Sequence, residues 1–550
     1  MNNLIRNSLA VAVAAVVSQS ANAGTDTYFN PLTQSASVAS PNHVNELTGP
    51  WTHPAGLSQE NLTSLKEIEA DINQSVGRAP YASTSASMMD MIAYDPSGKF
   101  LFIPHESPWS AGLSRYDIEN DTNTLIFVGD GNGISCGNPG AIEENREETV
   151  TCANWSNDYA AFDPARFTPN GTVLLGEEWS GEGRIIEVMN PFADITNPVA
   201  GDPAADVDYR ELQSIANVAH EGINFSEQYD DTIYYIDEWR SGSIYKFVMT
   251  TAGDYTSGQT FVLSVDAFNG DPADYYNDGS NVGQPRTGMA TWVAITDADG
   301  NPLPGVTDPF RNGPTNDPRS NDDTRGGRIA ADDVNGTPYG RPEDMEVATL
   351  PNGNEILYIT ATSENTIYSV EILDEATAMV GILADGSTPT NVGFPATTGF
   401  LNSPDNLAQD ALGNIYIIED APNGSDVGGD IWFARDADND GVAESLDHFM
   451  SIQVDGSEAT GMIFNPVNPT EFVVAVQHPD STNLDNVPEG FGDAVWKFDL
   501  TGIVPPQCAR EDRRGGKKTC SNMSDYKFVK MLERAEKGKG KGKGKGHWRH

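Results

Sequence analysis

The chain has 550 residues, 33 of them Lys or Arg and 80 Asp or Glu, for a net charge of −47. From Cys508 onward 14 Lys and Arg face 5 Asp and Glu, which leaves 19 basic against 75 acidic residues before that point. A body this acidic lacks the basic footprint that nucleic acid and other polyanions need, so that class of partner is excluded, and a calcium-rich or salty exterior suits it.

The first segment, residues 1–23, has one Arg, an apolar run from Leu9 to Val17, and small residues Ala21 and Ala23 before Gly24. This pattern predicts a secretory signal peptide, too short to span a bilayer. It has no twin arginine, so export through a Sec-type route to the periplasm or the extracellular space is expected, with any metal collected afterwards. Residues 24–87 read as a lead-in. Between 88 and 507 an apolar strand, a turn and a second strand recur six times, at 91–106, 159–178, 222–238, 344–364, 406–420 and 461–478. A repeated strand–turn–strand unit predicts an all-β, six-bladed β-propeller. The long step between the third and fourth copies holds a loop-rich insertion, about 250–340, in which 288–295 reads as a strand. Residues 508–550 form a basic tail ending in alternating Lys and Gly, which cannot bury an apolar face and is expected to be disordered. Such a tail offers surface attachment to anionic headgroups or polysaccharide. Cys136, Cys152, Cys508 and Cys520 form an even set in an exported chain. Of the three connectivities open to them, 136–152 with 508–520 is the simplest. A monomer is expected.

The polar residues flanking each copy carry the functional signal. Asp90, Asp158, His220 with Glu221, Glu343 with Asp344, Asp405 and Glu458 stand before or at the start of the first strand. His105 with Glu106, Glu177 with Glu178, Asp237 with Glu238, Glu364, Glu419 with Asp420, and His478 stand at the end of the second. Antiparallel strands joined by a short turn return the chain to the level where it began, so both sets belong at one end of each blade, around the mouth of the channel. Carboxylates crowded in this way raise one another's pKa unless cations intervene, and oxygen-only clusters suit hard cations such as calcium. Several calcium ions are therefore expected. Asp95, Asp163 and Asp410 fall between strands and read as turn residues.

One local motif is specific. Asp436, Asp438, Asp440, Gly441 and Asp447 have the spacing of positions 1, 3, 5, 6 and 12 of an EF-hand-type calcium loop, with Asp for the usual Glu at the last position. No helix-forming sequence precedes it, so the expectation is a lone calcium loop bracing the fifth blade. GxSxG, HExxH, a Walker loop and a dinucleotide fingerprint are all missing, which directs any catalysis to the acidic face.

The segments FIPHES, TPNGTVLLGEEW, AHEG, DEWRSGSIYKFV, GRPEDMEV, SPDNLAQDALGNIYIIED, EATGMIFNP and VQHP, in that order from about residue 88 to 500, resemble the motif series of PhoX-type alkaline phosphatases. The resemblance implies a six-bladed propeller with a calcium-rich, iron-containing site at one end of the channel, hydrolysing phosphate monoesters of a small phosphorylated substrate. By position, Glu106, Glu178, Glu221, Glu343, Asp344, Glu346 and Asp405 would match the family's acidic motif residues, and Arg341 would face the substrate phosphate. Two departures agree with each other. Asp163 aligns where the family has an iron-ligating Cys, and the twin-arginine signal common in the family is missing. An all-calcium site, or a changed or lost activity, follows from both, with iron as the alternative.

Taken together, these features predict a secreted, calcium-dependent phosphoesterase. Metals held by Glu106, Glu177, Glu178, Glu221, Glu343, Asp344, Glu346, Asp405 and Glu458 would polarise the phosphoryl group, and Arg341 would present a bidentate fork to its oxygens. Arg240 and Lys246 are weaker candidates for that contact, and His220 would serve as ligand or general acid. The alternatives are a non-catalytic calcium-binding propeller for a surface glycan or protein, or a metal-dependent hydrolase of another ester such as a phosphodiester or lactone.

Overall fold

Runs such as Ile244–Met249, Glu355–Ala361 and Glu471–Gln477 are dense in β-branched and aromatic residues, which fit a pleated surface packed on both faces. The computed structural model describes residues 27–38, 43–74, 76, 89–107, 109–133, 156–179, 183–310 and 326–503. The leader, the four cysteines and the basic tail lie outside the described residues. No helix among those described is long and apolar enough to cross a membrane.

The chain is all-β apart from short helices, and its sheets take a propeller-like arrangement. Strand pairing is antiparallel throughout the five sheets, which hold 5, 4, 9, 4 and 4 strands. Six separate sheets were expected, and the difference has a single cause in the insertion. The strand Gly288–Ala294 pairs on one side with Gly258–Val265 and on the other with Thr377–Asp385, joining two four-stranded runs into the nine-stranded sheet. Both partners would otherwise present unpaired backbone at a sheet edge, and the bridging strand satisfies both. The lead-in contributes as well. Gln59–Ser64 completes the sheet of the last repeat by pairing with Ala494–Asp499, so a strand from before the first repeat joins the last one.

Asp95 and Asp410 are turn residues as expected. Asp95 accepts the backbone N–H groups of Ser97, Lys99 and Phe100, and Asp410 those of Leu412 and Asn414, pinning each hairpin. The first strands of neighbouring repeats lie against one another, so Pro342–Thr349 touches both His220–Phe225 and Pro404–Gln409 around the axis.

Candidate metal centre and phosphate site

Five of the axial strands carry a β-bulge at the same place. Pairing shifts by one residue between Phe162 and Ala165, His220 and Ile223, Pro342 and Met345, Pro404 and Leu407, and Thr460 and Ile463. A bulge re-aims the side chains it contains. In four strands its first residue is a carboxylate: Asp163, Glu221, Glu343 and Asp405. In the fifth it is Gly461, where a Cβ would sit 2.3 Å from the backbone oxygen of Asp90, so only glycine lets Asp90 approach. The Thr460 hydroxyl then donates to the Asp90 carboxylate. Two residues before three of these acids the backbone is left-handed without glycine, at Ala161 (φ 48°), Arg341 (φ 54°) and Ser403 (φ 44°). Such strain persists where the surroundings over-determine it. A repeated hydrogen bond does so: Glu178 N–H donates to Ala161 O, Glu238 to Ala219, Thr362 to Arg341 and Asp420 to Ser403, at 2.8–3.0 Å.

The acid pairs at the ends of the second strands divide their labour, because adjacent strand residues face opposite ways. The first member of each pair is buried in the sheet with its own partner. Glu177 accepts from Arg184 at 2.6 Å, Asp237 holds Arg328 from the insertion helix Gly326–Asp333 by two bonds of 2.6 and 2.7 Å, and Glu419 accepts the Trp432 indole at 2.8 Å. The second members, Glu178, Glu238 and Asp420, together with Glu106, turn to the channel. Glu177 is therefore not part of the channel cluster: its charge is committed to a fully buried ion pair. Removing one partner from such a pair leaves an uncompensated charge. Arg184→Leu should cost about 3–5 kcal/mol in denaturant unfolding, while activity per folded molecule is retained.

The channel acids behave as one electrostatic unit. Burial and mutual repulsion push Asp163, Glu178, Glu221, Asp405 and Glu458 well above the carboxylate range. Burial is also the leading cause for Asp90, pushed up to about 6, and for Glu343, pushed up to about 8. Asp163 is repelled in turn by Asp90, Glu178, Glu106 and Asp405, which places it inside the cluster. The expectation that it is a turn residue is overturned: it lies on the axial strand, buried, in the bulge. Asp158, expected at the channel, instead caps backbone N–H groups of Ser110, Gly133 and Tyr159.

Glu221, Glu343 and Asp405 offer oxygens within 4.8 Å of one another. One buried oxygen of Asp163 and one of Glu221 have no hydrogen-bond partner. Buried anionic oxygens left bare are costly, and a hard cation fits the all-oxygen donor set. Arg341 stands over this group, 2.5 Å from Glu238, 3.2 Å from Glu343 and 4.0 Å from Asp420. Its side chain keeps 36% of its surface exposed, so the guanidinium is oriented by carboxylates yet open to the mouth.

Other expected site residues go elsewhere. His220 points away from the acids: it is fully buried, its ring is 5.5 Å from that of Tyr235, and burial lowers its pKa to about 3. It is a neutral packing residue, since the next residue, Glu221, takes the channel-facing direction. Asp344 accepts N–H bonds from Met345 and Leu407 at 2.6 and 2.8 Å, tying neighbouring strands, and with Glu346 it faces Arg166 rather than Arg341. Glu458 sits at the rim, 3.5 Å from His478. Lys246 is buried between Phe261 and Trp292 and donates to Glu375 O, with no part in the channel. In the fifth repeat, Asp436 receives the N–H groups of Asp440 and Gly441, and Asp436, Asp438 and Glu444 offer oxygens within 4.8 Å of one another. Asp447 is not among them, because it is buried in the strand Ser445–Ile452, accepting from Ser445 at 2.6 Å. Glu444, three residues before Asp447, is the carboxylate that this group brings near Asp436 and Asp438.

A profile of the family described as alkaline phosphatase PhoX matches residues 202–480. That span takes in Glu221, Glu238, Arg341, Glu343, Asp405, Asp420 and Glu458. No curated protein matches the chain. Among solved structures, PhoX of Pseudomonas fluorescens in complex with vanadate, a transition-state analogue, is similar at 15% identity and a TM-score of 0.53, with 86% of this chain and 98% of that chain covered. A streptogramin B lyase and a luciferin-regenerating enzyme are each 10% identical, at TM-scores of 0.34 and 0.36; they cover 80% and 81% of this chain and 97% and 96% of their own. The first supports the shared fold, and nothing rests on the other two.

Proposed function

This chain belongs to the PhoX alkaline phosphatase family, and on that premise we propose that it is an exported, calcium-dependent phosphomonoesterase built as a six-bladed propeller. The blade count treats the nine-stranded sheet as two blades joined by Gly288–Ala294. The observation that carries the functional reading is the juxtaposition of Glu221, Glu343 and Asp405 beneath Arg341. Calcium is favoured over iron by the donors, which are all oxygen once Asp163 occupies the thiolate position. A cation bound here supplies Lewis acidity toward the phosphoryl oxygens.

The chain's own groups do the rest. Arg341, held at fixed distances by Glu238 and Glu343, offers its free N–H groups to a phosphate oxygen, where planar bidentate geometry gives both orientation and charge neutralisation. Glu221, Glu343 and Asp405 supply the carboxylate oxygens nearest that phosphate. Asp90, Glu106, Asp163, Glu178, Asp420 and Glu458 form the remaining wall, and the excess of negative charge there holds cations rather than substrate. His220 takes no part in proton transfer.

The test is hydrolysis of p-nitrophenyl phosphate by the exported protein. Turnover with calcium, its loss to a chelator and its return with calcium are expected. Turnover that survives chelation would contradict calcium dependence, and calcium-saturated protein that hydrolyses no phosphate ester would point to a binding propeller.

A further inference from the structure

The turn that carries Arg240 is tied both to the segment carrying Arg341 and to the insertion. The turn Trp239–Gly242 is stitched to the segment carrying Arg341: Arg341 N–H donates to Trp239 O at 2.8 Å, and Tyr339 N–H to Gly242 O at 2.8 Å. The insertion then docks on the same turn, with Tyr276 N–H donating to Arg240 O at 2.9 Å. Tyr276 is fixed from its other end by its hydroxyl, which donates to Ser363 O at 2.6 Å. Its ring lies so close to Gly340 that a Cβ there would meet it at 2.6 Å. Arg286, 3.3 Å from Glu364 and bonded to Tyr276 O, locks the segment from behind.

Against this rigid wall stands Arg240. It is exposed, makes no ion pair among the described residues, and has its guanidinium 5.9 Å from the centre of the Tyr275 ring, which in turn packs edge-on to Trp239. In a chain with a net charge of −47, Arg240 stands two residues after Glu238 yet pairs with no carboxylate among the described residues. The Tyr275 face restrains it without neutralising it.

We propose that Arg240 is a specificity residue that binds a second negative charge on the leaving group, so that the site favours phosphate monoesters whose alcohol part itself carries a phosphate or carboxylate. This deepens the phosphatase reading and rests on it for the identity of the first anion, held at Arg341. Arg240 is not a catalytic residue in this scheme. Its contribution is to affinity for one class of substrate.

The test compares ethylphosphonate with 3-phosphonopropanoate, which differ by a terminal carboxylate, in calorimetric titrations of the calcium-loaded protein. The wild type should bind 3-phosphonopropanoate, with its extra carboxylate, about tenfold more tightly. Arg240→Gln should abolish that preference and leave ethylphosphonate binding unchanged, and Tyr275→Leu should reduce the preference in part, since it frees Arg240 from its restraint. A wild type that shows no preference, or a preference that survives in Arg240→Gln, overturns the proposal. Neither readout needs turnover, so a failure to hydrolyse any ester would sink the phosphatase reading while leaving this comparison to be decided by itself.

Discussion

Replacing Glu343 by Ala is expected to lower phosphomonoesterase activity by about a hundredfold or more, because one residue serves two functions there. Its carboxylate is shared between the trio with Glu221 and Asp405 and the ion pair that orients Arg341. Glu343→Gln separates the two functions from simple misfolding. In chelator above neutral pH it should be more stable than the wild type, since it removes one like charge from a buried group whose neighbours are Glu238 and Glu221. In calcium the order should reverse, because the wild type gains more from the cation. Thermal midpoints of both proteins in both conditions check this. A Glu343→Gln protein that is equally active, or is destabilised in chelator, would show that the carboxylates are not crowded as described.

The second large effect couples calcium, pH and stability. Burial pushes Glu343 up to about 8 and Asp344 up to about 8, from ordinary values of 4.5 and 3.8. For an acid whose folded pKa lies above its unfolded one, the folded chain holds a proton that the unfolded chain has released. Stability is therefore fully present below the unfolded value and is lost as pH rises through the folded one. The chelated protein should lose thermal stability steadily from about pH 5 to pH 8 and level off above. Calcium held by Glu221, Glu343 and Asp405 replaces the Glu343 proton, so its stabilising effect should grow over the same window. At a hundred times its dissociation constant each ion contributes about 2.7 kcal/mol, on the order of 3 °C for a chain of this size. A midpoint in chelator that is flat or rises between pH 5 and 8 contradicts the account.

The repeat and the acidic face were legible in the sequence because strand pairs that return to one level must carry their end residues together. What the sequence hid were features that break period. A bulge adds a residue without changing the apolar pattern, so Asp163, followed by Pro164, resembled a turn although it sits in an axial strand. Strand alternation, applied to the acid pairs, would have assigned Glu177 to the sheet and Glu178 to the channel, and His220 inward while Glu221 faces the axis. Arg328 comes to Asp237 from 91 residues away in the insertion, and nothing local announces it, whereas Arg184 lies only seven residues beyond Glu177. The bridging strand was visible at 288–295, but its two-sided pairing is a property of the assembled ring. In the fifth repeat, spacing alone could not decide between Asp447 and Glu444, because the turn's return into the strand Ser445–Ile452 determines which carboxylate faces the loop.

The most direct test is a crystal structure of the calcium-loaded protein with anomalous data collected at a wavelength where calcium scatters. Peaks bonded to Glu221, Glu343 and Asp405, with a soaked phosphate between them and Arg341, are the predicted result. A cluster whose carboxylates face one another with no cation between them, or a phosphate seated away from Arg341, would contradict the account.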